Sequence, residues 1–112
     1  MGLLIYDSKL EVVIDDRTLM HLQIVIIDKL RRAEKFAISL YHQGHVITLW
    51  MTPQSRVQWV YAGNRRPSLN RDWLEALADL AAMSGVLRII PEPVEHEHVP
   101  AEVERGREPV MS

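Results

Sequence analysis

The sequence DDRTLMHLQIVIIDKLRRAE, residues 15–34, is the longest strongly periodic segment of the chain. Apolar residues recur at intervals of three and four, as one face of a helix requires: Leu19, Leu22, Ile26 and Leu30. Asp15 or Asp16 can cap the first turn, and Arg31 and Arg32 suit the negative end of the helix dipole. We therefore predict an amphipathic helix packed on a sheet, whose polar side carries four residues: Arg17, His21, Asp28 and Arg32.

Segments with strand-like alternation flank this helix. The predicted strands cover residues 3–6, 10–14, 35–42, 45–51, 56–62 and 86–90. A second helix begins at Ser68 or Asn70, continues to Ser84 and ends at Gly85. The pattern predicts an α+β fold of order ββαβ-ββαβ, with a mostly antiparallel five- to six-stranded sheet and two helices on one face. Residues 1–90 form one domain, and residues 91–112 form a disordered acidic tail that contains prolines.

The hairpin at residues 35–51 has a two-residue loop, Gln43-Gly44, which fixes its register. His42 then faces His45, and Phe36 faces Met51 at the far end. Residues of even number in the first strand lie under the helices. The opposite face carries Tyr41, Val46 and Trp50, with Trp59 as a further candidate from the next strand. An exposed patch of this kind is typical of a partner surface.

Composition narrows the possible function. The chain of 112 residues contains no cysteine, which excludes disulfides and thiolate metal sites. Its net charge of −2 divides into +2 for residues 1–90 (eleven basic, nine acidic) and −4 for residues 91–112 (two basic, six acidic). A body so weakly basic does not favour strong non-specific duplex binding. We expect no signal peptide and no membrane span, and hence a cytoplasmic protein.

Basic residues provide an alternative site. They cluster at the end of the first helix and the start of the second: Lys29, Arg31, Arg32, Arg65, Arg66 and Arg71. Backbone N–H groups at the second helix start could bind a phosphate, a nucleotide or an acidic partner together with these side chains. Ordinary solvent-facing charge is the simpler explanation of the same residues.

Metal and catalytic sites have weaker support in the sequence. His42 and His45 are neighbours across the hairpin and are weak metal candidates, but no third ligand is evident nearby. The His96-Glu97-His98 sequence is a solvated acidic stretch in our interpretation. His21 and Asp28 lie two turns apart, about 10 Å by helix rise, which is too far for an acid–base dyad. We predict no catalytic residue and no cofactor.

Four segments resemble a small actinobacterial protein family of unknown function: residues 1–6, 14–36, 70–77 and 84–93, with IDDRTL, KLRR, EAL and PEP among their sequences. Members of that family carry an automatic label as ATP-dependent DNA ligases. A ligase needs a nucleophilic lysine in a K-x-D-G sequence. Lys9, Lys29 and Lys35 are followed by LE, LR and FA, so none fits, and the resemblance assigns no catalytic residue.

The sequence therefore predicts a non-catalytic interaction module that binds a protein partner or itself through an open sheet face. Binding to itself would make the protein a homo-oligomer. The alternative is a nucleic-acid or nucleotide-binding accessory protein that uses the arginines.

Overall fold

The computed structural model describes residues 1–95, and within them the strands and helices follow one another in the predicted order. The strands are β1 (Gly2–Tyr6), β2 (Leu10–Ile14), β3 (Phe36–His42), β4 (His45–Met51), β5 (Val57–Val60) and β6 (Val86–Arg88). The helices are α1 (Asp16–Arg31) and α2 (Arg71–Ser84). The larger part of the predicted tail, residues 96–112, lies outside the described residues.

The six strands form two three-stranded sheets rather than the predicted single sheet of five or six strands. The first sheet has the order β2-β1-β5, and the second sheet has the order β4-β3-β6. The division arises because β5 pairs with β1 instead of extending the β3–β4 hairpin. All pairs are antiparallel except β3–β6, which is parallel. The α+β class is confirmed.

Both helices begin at side chains that accept backbone N–H groups. The Asp15 carboxylate accepts the N–H of Thr18 at 3.0 Å, and the Asn70 side chain accepts the N–H of Trp73 at 3.1 Å. Gly85 ends α2 with φ 77°, a left-handed conformation that glycine adopts without steric cost. For each helix, one of the two candidate N-caps is thus confirmed, and so is the predicted stop at Gly85.

One core joins the helices to the inner faces of both sheets. Its fully buried members include Leu4, Val12, Leu19, Leu22, Ile26, Ile38, Leu77 and Leu87. The two helices lie side by side with their starts together: His21 of α1 meets Asn70 at the start of α2, whereas Lys29 and Ala82 line a shared groove near the other ends. This arrangement covers a side of α1 that the sequence assigned to solvent.

The prediction that His21 lies on the polar side of α1 is therefore wrong. His21 is 0 % exposed, because α2 packs against that side of the helix. Lys29 is also buried, with its ammonium 3.1 Å from a carboxylate oxygen of Glu34. A helical period alone cannot show that a second helix will cover part of the polar side.

The predicted register of the β3–β4 hairpin is confirmed. His42 lies opposite His45 and Phe36 opposite Met51, with every intermediate pair as expected. Gln43 and Gly44 both have positive φ, 52° and 79°, as the two-residue turn of a twisted hairpin requires.

Candidate interaction surface

The outer face of the second sheet carries large apolar side chains that are open to solvent. Tyr41 is 76 % exposed, Val46 63 % and Trp50 57 %. All three lie on the face opposite the buried residues Ile38 and Leu40, because side chains alternate along a strand. In the centre of this face, the Ser39 and Thr48 hydroxyls form a hydrogen bond of 3.1 Å. We call the set Tyr41, Val46, Thr48 and Trp50 the open face.

A shallow groove of about 360 Å³ runs along one edge of the open face. Its lining combines apolar and polar residues: Ser39, Leu40, Tyr41, Val46, Arg88 and Ile89. Arg88 is exposed and has no ion pair with any residue in the described part of the chain. The open face and this groove therefore offer aromatic contact area beside one available guanidinium.

Trp59 does not belong to the open face, contrary to the sequence-based grouping. It lies on β5 of the first sheet, opposite the buried Leu4, and packs against the core. Its indole N–H is buried and has no acceptor among residues 1–95. The grouping was wrong because β5 pairs with β1 and not with the β3–β4 hairpin, so that the Trp59 side chain faces the core.

The six basic residues of the alternative site form two groups rather than one. Lys29, Arg31 and Arg32 lie at the end of α1, whereas Arg65, Arg66 and Arg71 lie near the start of α2. Since the helices lie side by side with their starts together, these groups are separated by nearly the length of α1, roughly 24 Å at 1.5 Å per residue. The structure therefore does not bring them into one site.

The group at the end of α1 is largely paired within the chain. Lys29 pairs with Glu34 and lies 5.7 Å from the centre of the Phe36 ring. The Arg32 guanidinium is 2.8 Å from Asp28 and 3.4 Å from Glu34. Arg31 stays exposed. The C-terminal ends of α1 and α2, which both carry negative partial charge, lie close together here. This charge explains why cations cluster at this point without an external anion.

The start of α2 is occupied by carboxylates of the chain itself. A carboxylate oxygen of Glu95 accepts the backbone N–H of Arg71 at 3.2 Å, and Glu92 accepts the Asn70 side-chain amide at 2.9 Å. Arg65 and Arg66 are exposed in the preceding loop. The position proposed for an external phosphate is thus filled by residues that the sequence assigned to a disordered tail. Glu92 and Glu95 therefore contact the start of α2, although both follow the predicted domain end at residue 90.

A buried polar cluster that the sequence did not predict holds the two helix starts together. We call this contact between the start of α1 and the start of α2 the junction. The Nδ1–H of His21 donates to the Arg17 carbonyl at 2.7 Å, and its Nε2 accepts the N–H of Asn70 at 2.9 Å. The ring lies 4.6 Å from the Trp73 ring, and the Trp73 indole N–H donates to the Ile90 carbonyl at 3.0 Å. Asn70 lies 49 residues after His21 in the sequence, so a local pattern could not reveal the cluster.

Arg17 completes the junction. Its guanidinium donates to both carboxylate oxygens of Glu92, at 2.8 and 2.6 Å, and to the Ser68 carbonyl at 2.6 Å. This bidentate contact, with the Asn70 amide, lowers the pKa of Glu92 from 4.5 to about 2. Nearby, the N–H groups of Gly63 and Ala62 hold the pKa of Asp16 below its usual value.

Glu92 should make stability depend on acid pH. Because its folded-state pKa is depressed, its stabilising contribution is full above pH 4.5 and is lost as pH falls from 4.5 towards about 2. We expect the difference in melting temperature between the wild type and Glu92→Gln to be largest near neutrality and to shrink through that interval.

Thermal unfolding at a series of pH values measures this difference. Glu75→Gln, a change at an exposed carboxylate on α2, is the matched control and should show a small, nearly constant difference. An equally constant difference for Glu92→Gln would contradict the assignment.

The hairpin histidines have no further metal ligands beside them within residues 1–95. His42 and His45 are opposite one another as expected, but the described residues contain no group of three His, Asp or Glu side chains suited to a metal. Neither helix within this range has the length and apolar character that crossing a membrane requires.

Comparison with known proteins places the chain in one family. The model of a domain of unknown function, DUF7882, matches residues 1–92, which extends past the predicted domain end and includes Glu92. No curated protein and no solved structure matches the chain. The match confirms a family of unknown function, whereas the actinobacterial origin and the ligase label stay predictions.

Proposed function

We propose that this chain, which belongs to the DUF7882 family, is a non-catalytic interaction module that binds a protein through the open face. The observation that carries this proposal is the exposure of Tyr41, Val46 and Trp50 side by side on one sheet face. Aromatic residues are enriched in the cores of protein interfaces because they remove a large apolar area from water at little cost in side-chain entropy.

The surroundings of the open face favour a protein over a nucleic acid as its occupant. Thr48, Val46 and Trp50 are uncharged, and Arg88 is the one cation in the adjoining groove. Binding to a nucleic-acid backbone requires several positive charges along one surface. The arginines that could supply them lie elsewhere, around the start of α2.

Substitution Trp50→Glu should abolish contact at the open face. A carboxylate at this position would have to be buried without a partner in any apolar interface. We therefore expect the variant not to self-associate and to have the monomer mass of 12.9 kDa in solution. Light scattering coupled to gel filtration measures this mass. The association of the wild type should change little with salt, because the contact is apolar.

Met83→Glu is the matched control. Met83 is 85 % exposed on α2, so the same charge is introduced at an apolar surface residue away from the open face. We expect its mass to equal that of the wild type. If Trp50→Glu and Met83→Glu both keep the mass of an associated wild type, the open face is not the contact.

A further inference from the structure

The outer edge of β4 is an unprotected sheet edge. Its seven residues, His45–Met51, include no proline and no Lys, Arg, Asp or Glu. The other sheet edges in the described residues are protected: β2 carries Glu11, β5 has four residues after Arg56, and β6 has three residues and ends at Arg88. Natural proteins block exposed edges with charges, prolines or short strands, because an open edge pairs with another chain.

The hairpin register identifies which backbone groups of β4 are available. A two-residue turn makes His42 and His45 a hydrogen-bonded pair, and the alternation continues through Ile47 and Leu49. The N–H and C=O groups of Val46, Thr48 and Trp50 therefore point away from β3. The hydroxyl of Tyr6 donates to the Trp50 carbonyl at 2.7 Å, which closes that end of the edge. No hydrogen bond within residues 1–95 uses the outward groups of Val46 and Thr48.

We propose that the occupant of this edge is a second copy of the chain, paired antiparallel through β4. This inference rests on the proposed function, since it takes the bound protein to be a second copy whose contact includes Val46, Thr48 and Trp50 of the open face. A two-fold axis at Ile47 places Val46 opposite Thr48 of the other copy. Each copy then supplies two N–H donors and two C=O acceptors to the other, which gives four interchain hydrogen bonds and leaves Trp50 bonded to Tyr6.

The same register joins the two open faces. Residues opposite one another across antiparallel strands lie on one face, so Val46 adjoins Thr48 of the second copy. Trp50 of each copy lies opposite Gly44 of the other, which has no side chain to meet the indole, and a Cβ built at Gly44 would have no atom within 4 Å. No charged residue of β4 opposes its own copy, so pairing brings no like charges together. The two second sheets become one six-stranded sheet with a continuous aromatic face.

Amide hydrogen exchange measured by NMR tests the pairing in the unaltered chain. In a monomer the amides of Ile47 and Leu49 are protected by β3, whereas those of Val46 and Thr48 exchange quickly. We expect all four to be protected at concentrations where the mass is that of a dimer. A dimer in which Val46 and Thr48 exchange quickly would overturn edge pairing while leaving the open face as the contact.

Thr48→Pro removes the outward N–H and keeps the hydrogen bonds to β3. Edge strands tolerate proline when its position has no N–H bonded within the sheet. Two of the four interchain hydrogen bonds are lost, and we expect the dimer to weaken about tenfold or more. Thr48→Val loses the same hydroxyl but keeps the N–H, and it should associate as the wild type does. Equal dimerisation of the two variants would overturn edge pairing. If the wild type stays monomeric at every concentration, the occupant of the edge is not a second copy. The proposed function would then still hold if a different protein binds the open face.

Discussion

Replacing His21 by alanine is expected to lower the free energy of unfolding by about 3 kcal/mol. The substitution opens a cavity in a fully buried position and removes the ring that lies 4.6 Å from Trp73. It also leaves the Asn70 N–H without its acceptor at the start of α2. A buried donor without a partner costs more than the bond itself contributed.

Urea denaturation followed by far-ultraviolet circular dichroism measures this loss. Arg31→Ala, on the exposed side of the same helix, is the control and should stay within about 0.5 kcal/mol of the wild type. If His21→Ala costs no more than Arg31→Ala, the cluster does not hold the two helix starts together.

Gly2→Ala is expected to lower stability by about 2–3 kcal/mol. A Cβ at this position would lie 2.6 Å from the Val60 carbonyl oxygen and 2.8 Å from both Asp16 Oδ1 and Leu19 Cδ2. The first of these is backbone, so β1 and β5 would have to separate or the start of α1 would have to move. Glycine is required here because β1, β5 and α1 approach one another closely, and not because the backbone has an unusual φ.

Gly63→Ala is a matched control for this prediction, because Gly63 also contacts Asp16. There a Cβ would lie 3.6 Å from Asp16 Oδ2, an ordinary contact, and we expect less than about 1 kcal/mol of destabilisation. Equal melting temperatures for Gly2→Ala and the wild type would show that the elements can move apart without cost.

Local signals in the sequence predicted the local structure well. The Gln43-Gly44 turn fixed the register of the hairpin, and the caps at Asp15, Asn70 and Gly85 followed from side-chain chemistry that acts over three or four residues. The exposure of Tyr41 and Trp50 followed from the same register. In each case the deciding residues are neighbours in the chain.

Long-range packing accounts for what the sequence did not predict. His21 and Lys29 are buried because α2 lies beside α1, and Trp59 turned inward because β5 crossed to β1. Glu92 was assigned to a tail on composition, yet it meets Arg17, which is 75 residues earlier. No periodicity within one segment contains information about such partners, so the anion site inferred from the arginines could not be tested before the fold was known.

The junction at the helix starts and the open face have different roles in this account. The junction of His21, Asn70, Arg17 and Glu92 is internally satisfied, so it stabilises the fold and leaves no group directed at a ligand. The open face has apolar area without a covering element in the described part of the chain. The proposed function therefore depends on the second sheet and not on the helices.

Site-specific photo-cross-linking in the cells that express the chain tests the open face most directly. A photoreactive amino acid is placed at Tyr41, and in a second variant at Met83, which has similar exposure but lies on α2. We expect a discrete cross-linked product of increased mass from position 41 and none from position 83. Equal products from both positions, or none from position 41, would contradict a protein-binding role for the open face.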